Sequence, residues 1–301
     1  MPSEIAQLVA GVVAMADQGR TSQHMKVAAV SMLIYDYLIT FSDEVKYVWT
    51  SPMTTLKIAF LVGRYVPFAS VIATLYANLT HSYPGDTACI ALAHVYIWLL
   101  TLSIIASQVV QILRTFALYE RSRIAGWALG AIFTVSVVAV IPLNVIHLKS
   151  ITMSPLPPLF TLKSSIDYQE NCGYRMQADW AALSPQYIII LAVEFIVVVL
   201  TCWRYLMRDR YTITTLRKDS NSLIRVLYND GFMYFMYIFA FSLANVLVLY
   251  VDPTQYHKWP FHLQGVLHSC LSTRIVIHIR RSAAQESYSI DEPLRMSVPR
   301  V

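Results

Sequence analysis

An arginine stands where a membrane interior is expected. In FLVGRYVPF, residues 60–68, Arg64 is enclosed by apolar side chains. Three acids, Asp36, Glu194 and Asp230, occupy equally apolar stretches. Charges in such places pair and pin helices, carry ions or protons, or line a ligand site. His94, His262 and His268 add groups that could exchange protons or bind metal. A metal site would gather them at one depth with Glu194. His262 and His268 are six residues apart and point away from each other on a helix, unlike the i, i+4 pair of an H-E-x-x-H motif. No G-x-S-x-G, P-loop or dinucleotide fingerprint is present. The expectation is a protein that is not an enzyme and needs no cofactor or metal.

The elements that must position these groups are membrane helices. The chain has 301 residues, 56% hydrophobic and 14% charged, with a mean hydropathy of +0.50. This lies outside the balance of a soluble domain. A spanning helix needs about 20 mostly apolar residues, and such stretches fall near 24–41, 55–77, 88–113, 124–147, 185–206, 226–251 and 259–280. The expected fold is an all-α membrane protein, a seven-transmembrane helix bundle, with the last span the most polar. Residues 5–16, IAQLVAGVVAMA, are too short to span and read as a surface helix.

Lysine and arginine mark the cytoplasmic side. They crowd RTFALYERSR after span 3 and the segment between spans 5 and 6, and Arg280, Arg281, Arg295 and Arg300 follow span 7. The N-terminus is therefore expected outside and the C-terminus in the cytoplasm. The organisation is an extracellular segment at 1–23, a seven-helix domain at 24–281 and a cytoplasmic tail at 282–301. The net charge of +5 sits beside apolar runs and forms no aromatic-interleaved patch, which argues against nucleic acid. The sequon at Asn78 falls in an outer loop and is a glycosylation candidate. Cys89 opens span 3 on the outside and Cys172 lies in the long outer loop, where a disulfide can persist. Cys202 and Cys270 read as buried free thiols.

At 1.5 Å per residue, Arg64 lies roughly 15 Å above the cytoplasmic end of span 2, and Asp36 roughly 9 Å above the same face. Helices joined by a short loop usually neighbour each other, so Asp36 is the preferred partner. Arg274 lies at nearly the level of Asp36. A cluster of Asp36, Arg64 and Arg274 would join spans 1, 2 and 7, either as a two-state lock or as a plain structural pin.

Polar residues also recur at helical spacing: His94, Thr101, Gln108 and Thr115 in span 3, and Tyr187, Glu194 and Thr201 in span 5. Interhelical hydrogen bonds would explain such stripes. The functional alternative is a small-ligand pocket in the outer half, lined by His94, Tyr187, Glu194, Tyr237, Asn245, His262 and His268. On the inner face, Arg114, Arg121, Arg123, Arg208 and Arg210 are candidates for coupling to cytoplasmic partners.

The stretch YDYLITFSDEVKYVW followed by LKIAFLVGRYVPF resembles the N-terminal signature of a family of fungal, mainly basidiomycete, membrane proteins known only by a domain of unknown function. The matching positions are Tyr35, Asp36, Leu38, Thr40, Glu44, Val45, Trp49, Lys57, Phe60, Leu61, Arg64 and Tyr65, within 30–68. The resemblance implies membership and a fungal source, and no known activity. A wider likeness is to seven-helix receptors that couple to heterotrimeric G proteins, resting on the outside N-terminus, Cys89 and Cys172 at the receptor bridge positions, the basic inner loops and Arg114. The departures are that Leu113, not an acid, precedes Arg114, and that span 7 lacks N-P-x-x-Y. The expectation is a receptor-like sensor in the plasma membrane, embedded in the lipid bilayer and responding to a small ligand or peptide. The alternative is a proton- or solute-coupled transporter, with a membrane hydrolase a distant third.

Overall fold

A computed structural model describes residues 24–79, 85–153, 176–177, 184–215, 222–251 and 259–296. Among the described residues the fold is helical: α1 His24–Trp49, α2 Thr55–Leu79, α3 Asp86–Leu118, α4 Arg123–Ser150, α5 Ser184–Thr215, α6 Ser222–Val251 and α7 Trp259–Met296. Two-residue strands, β1 Thr152–Met153 and β2 Met176–Gln177, pair antiparallel after α4.

Six of these seven helices are long and apolar enough to cross a membrane, through His24–Trp49, Thr55–Ala73, Asp86–Leu118, Arg123–Ser150, Ser184–Arg204 and Phe232–Tyr250. Hydrogen-bonding every backbone group inside its own segment is what permits a helix to sit in lipid. The chain is an integral, multi-pass membrane protein. The expected seventh span differs: α7 is present but is not among the six. Its buried face carries Gln264, His268, Ser269, Ser272 and Thr273, which lower its hydropathy; Ser272 and Thr273 bond back to carbonyls of α7 itself. It also runs past the expected boundary at 281, to Met296.

The first helix is longer than expected as well. The polar run SDEVK reads as its end, yet the helix continues and closes in a π-helical turn, Val45–Trp49. That extension carries Glu44 into the interior, where it is fully buried.

Packing is centred on α3, which touches α2, α4, α5 and α7, while α7 also packs on α2, α6 and the π turn of α1. The pattern of a soluble protein is inverted. Trp127 is 81% exposed and Val135 69%, facing where lipid lies, whereas Arg64, Asn144 and His268 are completely buried. Asn144 of α4 donates to Thr101 Oγ1 of α3 at 2.8 Å. Pro67, inside α2, has no N–H to give to the Gly63 carbonyl one turn back. Ser269 Oγ of α7 donates to that carbonyl at 2.6 Å instead, so a helix irregularity becomes a tie between helices.

Candidate functional site

Arg64 is held from α1. Asp36, Thr40 and Glu44 recur every four residues and so share one face of that helix. Arg64 Nη1 lies 2.6 Å from Asp36 Oδ2 and Nε lies 3.3 Å from Glu44 Oε2. Its Nη2 donates to the Tyr37 carbonyl at 3.4 Å and to Thr40 Oγ1. The guanidinium also sits over the Tyr37 ring at 5.1 Å. Asp36 Oδ1 is 2.5 Å from Arg274 Nε, which brings α7 into the same site. Two carboxylates therefore face two guanidinium groups, and the cluster is neutral. Glu44 Oε1 accepts from the Tyr65 hydroxyl at 2.6 Å and from Trp49 Nε1 at 3.0 Å. The requirement that a buried pair have its remaining hydrogen-bonding capacity met is fulfilled here. Lys57 Nζ caps the end of α1 through the carbonyls of Trp49 at 3.0 Å and Ser51 at 2.7 Å. Arg280 adds bonds to the Tyr47 carbonyl at 3.2 Å and to Ser51 Oγ.

Residues 25–69 match the model of a family of unknown function, DUF6533. The DUF6533 segment holds Asp36, Thr40, Glu44, Trp49, Lys57, Arg64 and Tyr65, every member of the cluster except those supplied by α7. No curated protein matches the chain.

A second polar cluster lies between α3, α5, α6 and α7. Glu194 and His268 meet there, with Oε1 and Nε2 3.3 Å apart and both side chains buried. Ser242 Oγ is 3.2 Å from the same imidazole nitrogen, and Gln264 Nε2 donates to Ser242 Oγ at 3.4 Å. Asn245 is buried one turn further along α6. The other members of the expected outer pocket are dispersed. Tyr187 is buried in an apolar cluster with Leu100, Ile104 and Ile190. His94 is half-buried near the start of α3. Tyr237 is 55% exposed, because α6 turns Phe235, Ile238, Ser242 and Asn245 inward. Tyr237 thus faces away from the cluster, a correction to its place in the expected pocket. The side chains of Asn78, Arg208, Arg210, Asp230 and His262, and Cys172 altogether, lie outside the described residues, as do residues 1–23. Cys202 and Cys270 are free.

A crevice of about 390 Å³ opens where the end of α3 meets α2, α5, α6 and α7. Its walls include Leu113, Ala117, Phe232 and Phe235, with Arg114 and Arg121 as cations and Thr201 as a buried hydroxyl. Arg114 stacks on Phe235 at 5.0 Å. Arg121 and Glu120 form the tight α3–α4 turn with φ of 57° and 54°, and Arg123 is the first residue of α4. At the rim, Arg204 Nη2 of α5 is 2.5 Å from Glu120 Oε1. The Tyr119 hydroxyl donates to the Leu200 carbonyl at 3.0 Å. Burial pushes that phenol above its ordinary range, and the Arg204 guanidinium opposes the shift. By contrast, the cavity bordered by Tyr96, Leu100 and Ser103 measures about 20 Å³, room for little more than one water.

Proposed function

We propose that this chain is a receptor-like sensor of the plasma membrane, with seven crossing helices, an outside N-terminus and a Cys89–Cys172 bridge in its outer region. It passes an extracellular signal to cytoplasmic partners. The observation that carries this reading is the crevice at the end of α3. At about 390 Å³ it falls within the roughly 300–1,000 Å³ of sites that accept a ligand group. It lies at the end of the bundle where the basic segments gather, between the ends of five helices. Apolar walls with Arg114 and Arg121 suit a partner's short segment that presents apolar side chains and a carboxylate.

The test is co-purification. Heterotrimeric G-protein α subunits of the host should accompany the gently solubilised protein without nucleotide and leave on addition of a non-hydrolysable GTP analogue. A folded protein that retains no such subunit counts against the proposal.

A second reading, proton- or solute-coupled transport, is favoured by the buried Glu194–His268 contact, since intramembrane acids often mark ion pathways. Reconstituted vesicles would then show a flux that Glu194→Gln alters. Absence of flux across a broad solute panel counts against this second reading.

A further inference from the structure

We infer that Glu194 and His268 form a proton-binding site in the middle of the bundle, with one proton held between Glu194 Oε1 and His268 Nε2. This holds whether the chain signals or transports, and its test is independent of both.

The site is defined by unmet hydrogen-bonding capacity. Glu194 is 1% exposed and His268 0%. Beyond the 3.3 Å imidazole contact and the nearby Ser242 hydroxyl the Glu194 carboxylate makes no hydrogen bond, and His268 Nδ1, Gln264 Oε1 and Asn245 Nδ2 have no partner. Buried polar atoms are rarely left in this condition. Among the described residues, the groups that face the pair are uncharged. From α6 comes the Ser242 hydroxyl, from α7 the Gln264 amide that donates to it, and from α3 the Ser107 hydroxyl, which donates to the His268 carbonyl at 3.3 Å. On α5 itself, Tyr187 lies in an apolar cluster. Among the described residues, α2 and α4 bring no titratable side chain into contact with either member. Arg274, further along α7, is bound to Asp36.

Charge then decides the occupant. With no proton the site holds an uncompensated negative charge out of water, and with two it holds a positive one; each is strongly destabilising. One proton makes the pair neutral. A carboxyl donating to a neutral imidazole also avoids placing two opposite charges in the interior. Because the groups interact, they bind and release protons as a unit. A metal ion would need space. Two small cavities elsewhere between the helices, of about 20 Å³ and about 10 Å³, are lined by neither Glu194 nor His268. A proton needs no space, and Ser242, which accepts from the Gln264 amide, lies 3.2 Å from His268 Nε2.

Infrared spectroscopy of the full chain in phosphatidylcholine vesicles, in H₂O and in D₂O, tests the assignment. A protonated-carboxyl stretch should shift on deuteration, disappear in Glu194→Gln and move in frequency in His268→Gln. It should titrate with pH and be unaffected when choline replaces sodium. If spectra of wild type and Glu194→Gln coincide in the carboxyl region throughout an acid-to-alkaline titration, the proposal is overturned. A band that follows sodium and ignores pH also overturns it. Glu194→Asp guards against misfolding of the other variants: folded, it should keep a carboxyl band at altered frequency, and loss of the band there is a third overturning result.

Discussion

Glu44 and Arg64 are 20 residues apart in the chain and 3.3 Å apart in space, Oε2 to Nε, with neither exposed to solvent. The contact exists because α1 does not stop at its polar run but closes in a π turn. Together with the Asp36 contact at 2.6 Å, it gives Arg64 two carboxylates where one would balance its charge. Arg274 supplies the second positive charge from α7.

Removing one member of this cluster should therefore cost far more than removing a matched pair. Arg64→Ala leaves two buried carboxylates against one guanidinium, and losing one partner of a buried pair costs about 3–5 kcal/mol. The combination of Asp36→Ala with Arg64→Ala is expected to recover part of that loss. Thermal midpoints of the detergent-solubilised variants measure it, and strictly additive losses would argue that the residues do not act as a unit.

Ser269 and Pro67 should be coupled without touching through their side chains. Ser269→Ala orphans the Gly63 carbonyl, a buried acceptor worth about 1–3 kcal/mol when left unmet. Pro67→Ala restores an N–H that can satisfy that carbonyl within α2. The expected outcome of the double-variant cycle is that Ser269→Ala costs less in the Pro67→Ala background than in the wild type.

Ala117 is exposed and lines the crevice. Ala117→Trp should fill it without disturbing the core. Nucleotide-sensitive association with G-protein α subunits should fall at least tenfold while the thermal midpoint stays within about 1 °C, a surface-type effect. Unchanged association would move partner docking away from the crevice.

Counting thiols tests the outer bridge. Alkylation of the denatured, unreduced chain should modify two of its four cysteines, Cys202 and Cys270, and mass spectrometry after reduction should find two more. Four modifications before reduction would exclude a Cys89–Cys172 disulfide.

Much of this arrangement follows from helix arithmetic. Asp36 and Arg274 can be set at nearly one depth, and Arg64 within an arginine's reach of Asp36, from a rise per residue and a short connection alone. Glu44 escapes that arithmetic because S-D-E-V-K has the composition of a loop. The i, i+4, i+8 spacing of Asp36, Thr40 and Glu44 is the signal that recovers it. Glu194 and His268 are visible as polar positions within apolar helices. Tyr237 misleads, because a tyrosine is as content at a lipid-facing surface as in a pocket, and its neighbours decide. The crevice has no sequence signature, since it depends on how far five helix ends are splayed.

The bonds on α7 are unevenly distributed, and this has a mechanical meaning. Towards α1 and α2 the helix is fixed by the Arg274–Asp36 pair, by Arg280 on the Tyr47 carbonyl and by Ser269 on the Gly63 carbonyl. Towards α5 and α6 its described polar ties are the Glu194–His268–Ser242 group and the Gln264–Ser242 bond. Helices α1, α2 and α7 are thus joined through ion pairs and charged donors, whereas α6 and α5 meet α7 through an uncharged hydroxyl, an amide and one acid–imidazole contact. If the acid–imidazole pair holds one proton as proposed, the tie on that side of α7 is the one that pH can reach, and the ties on the other side are not.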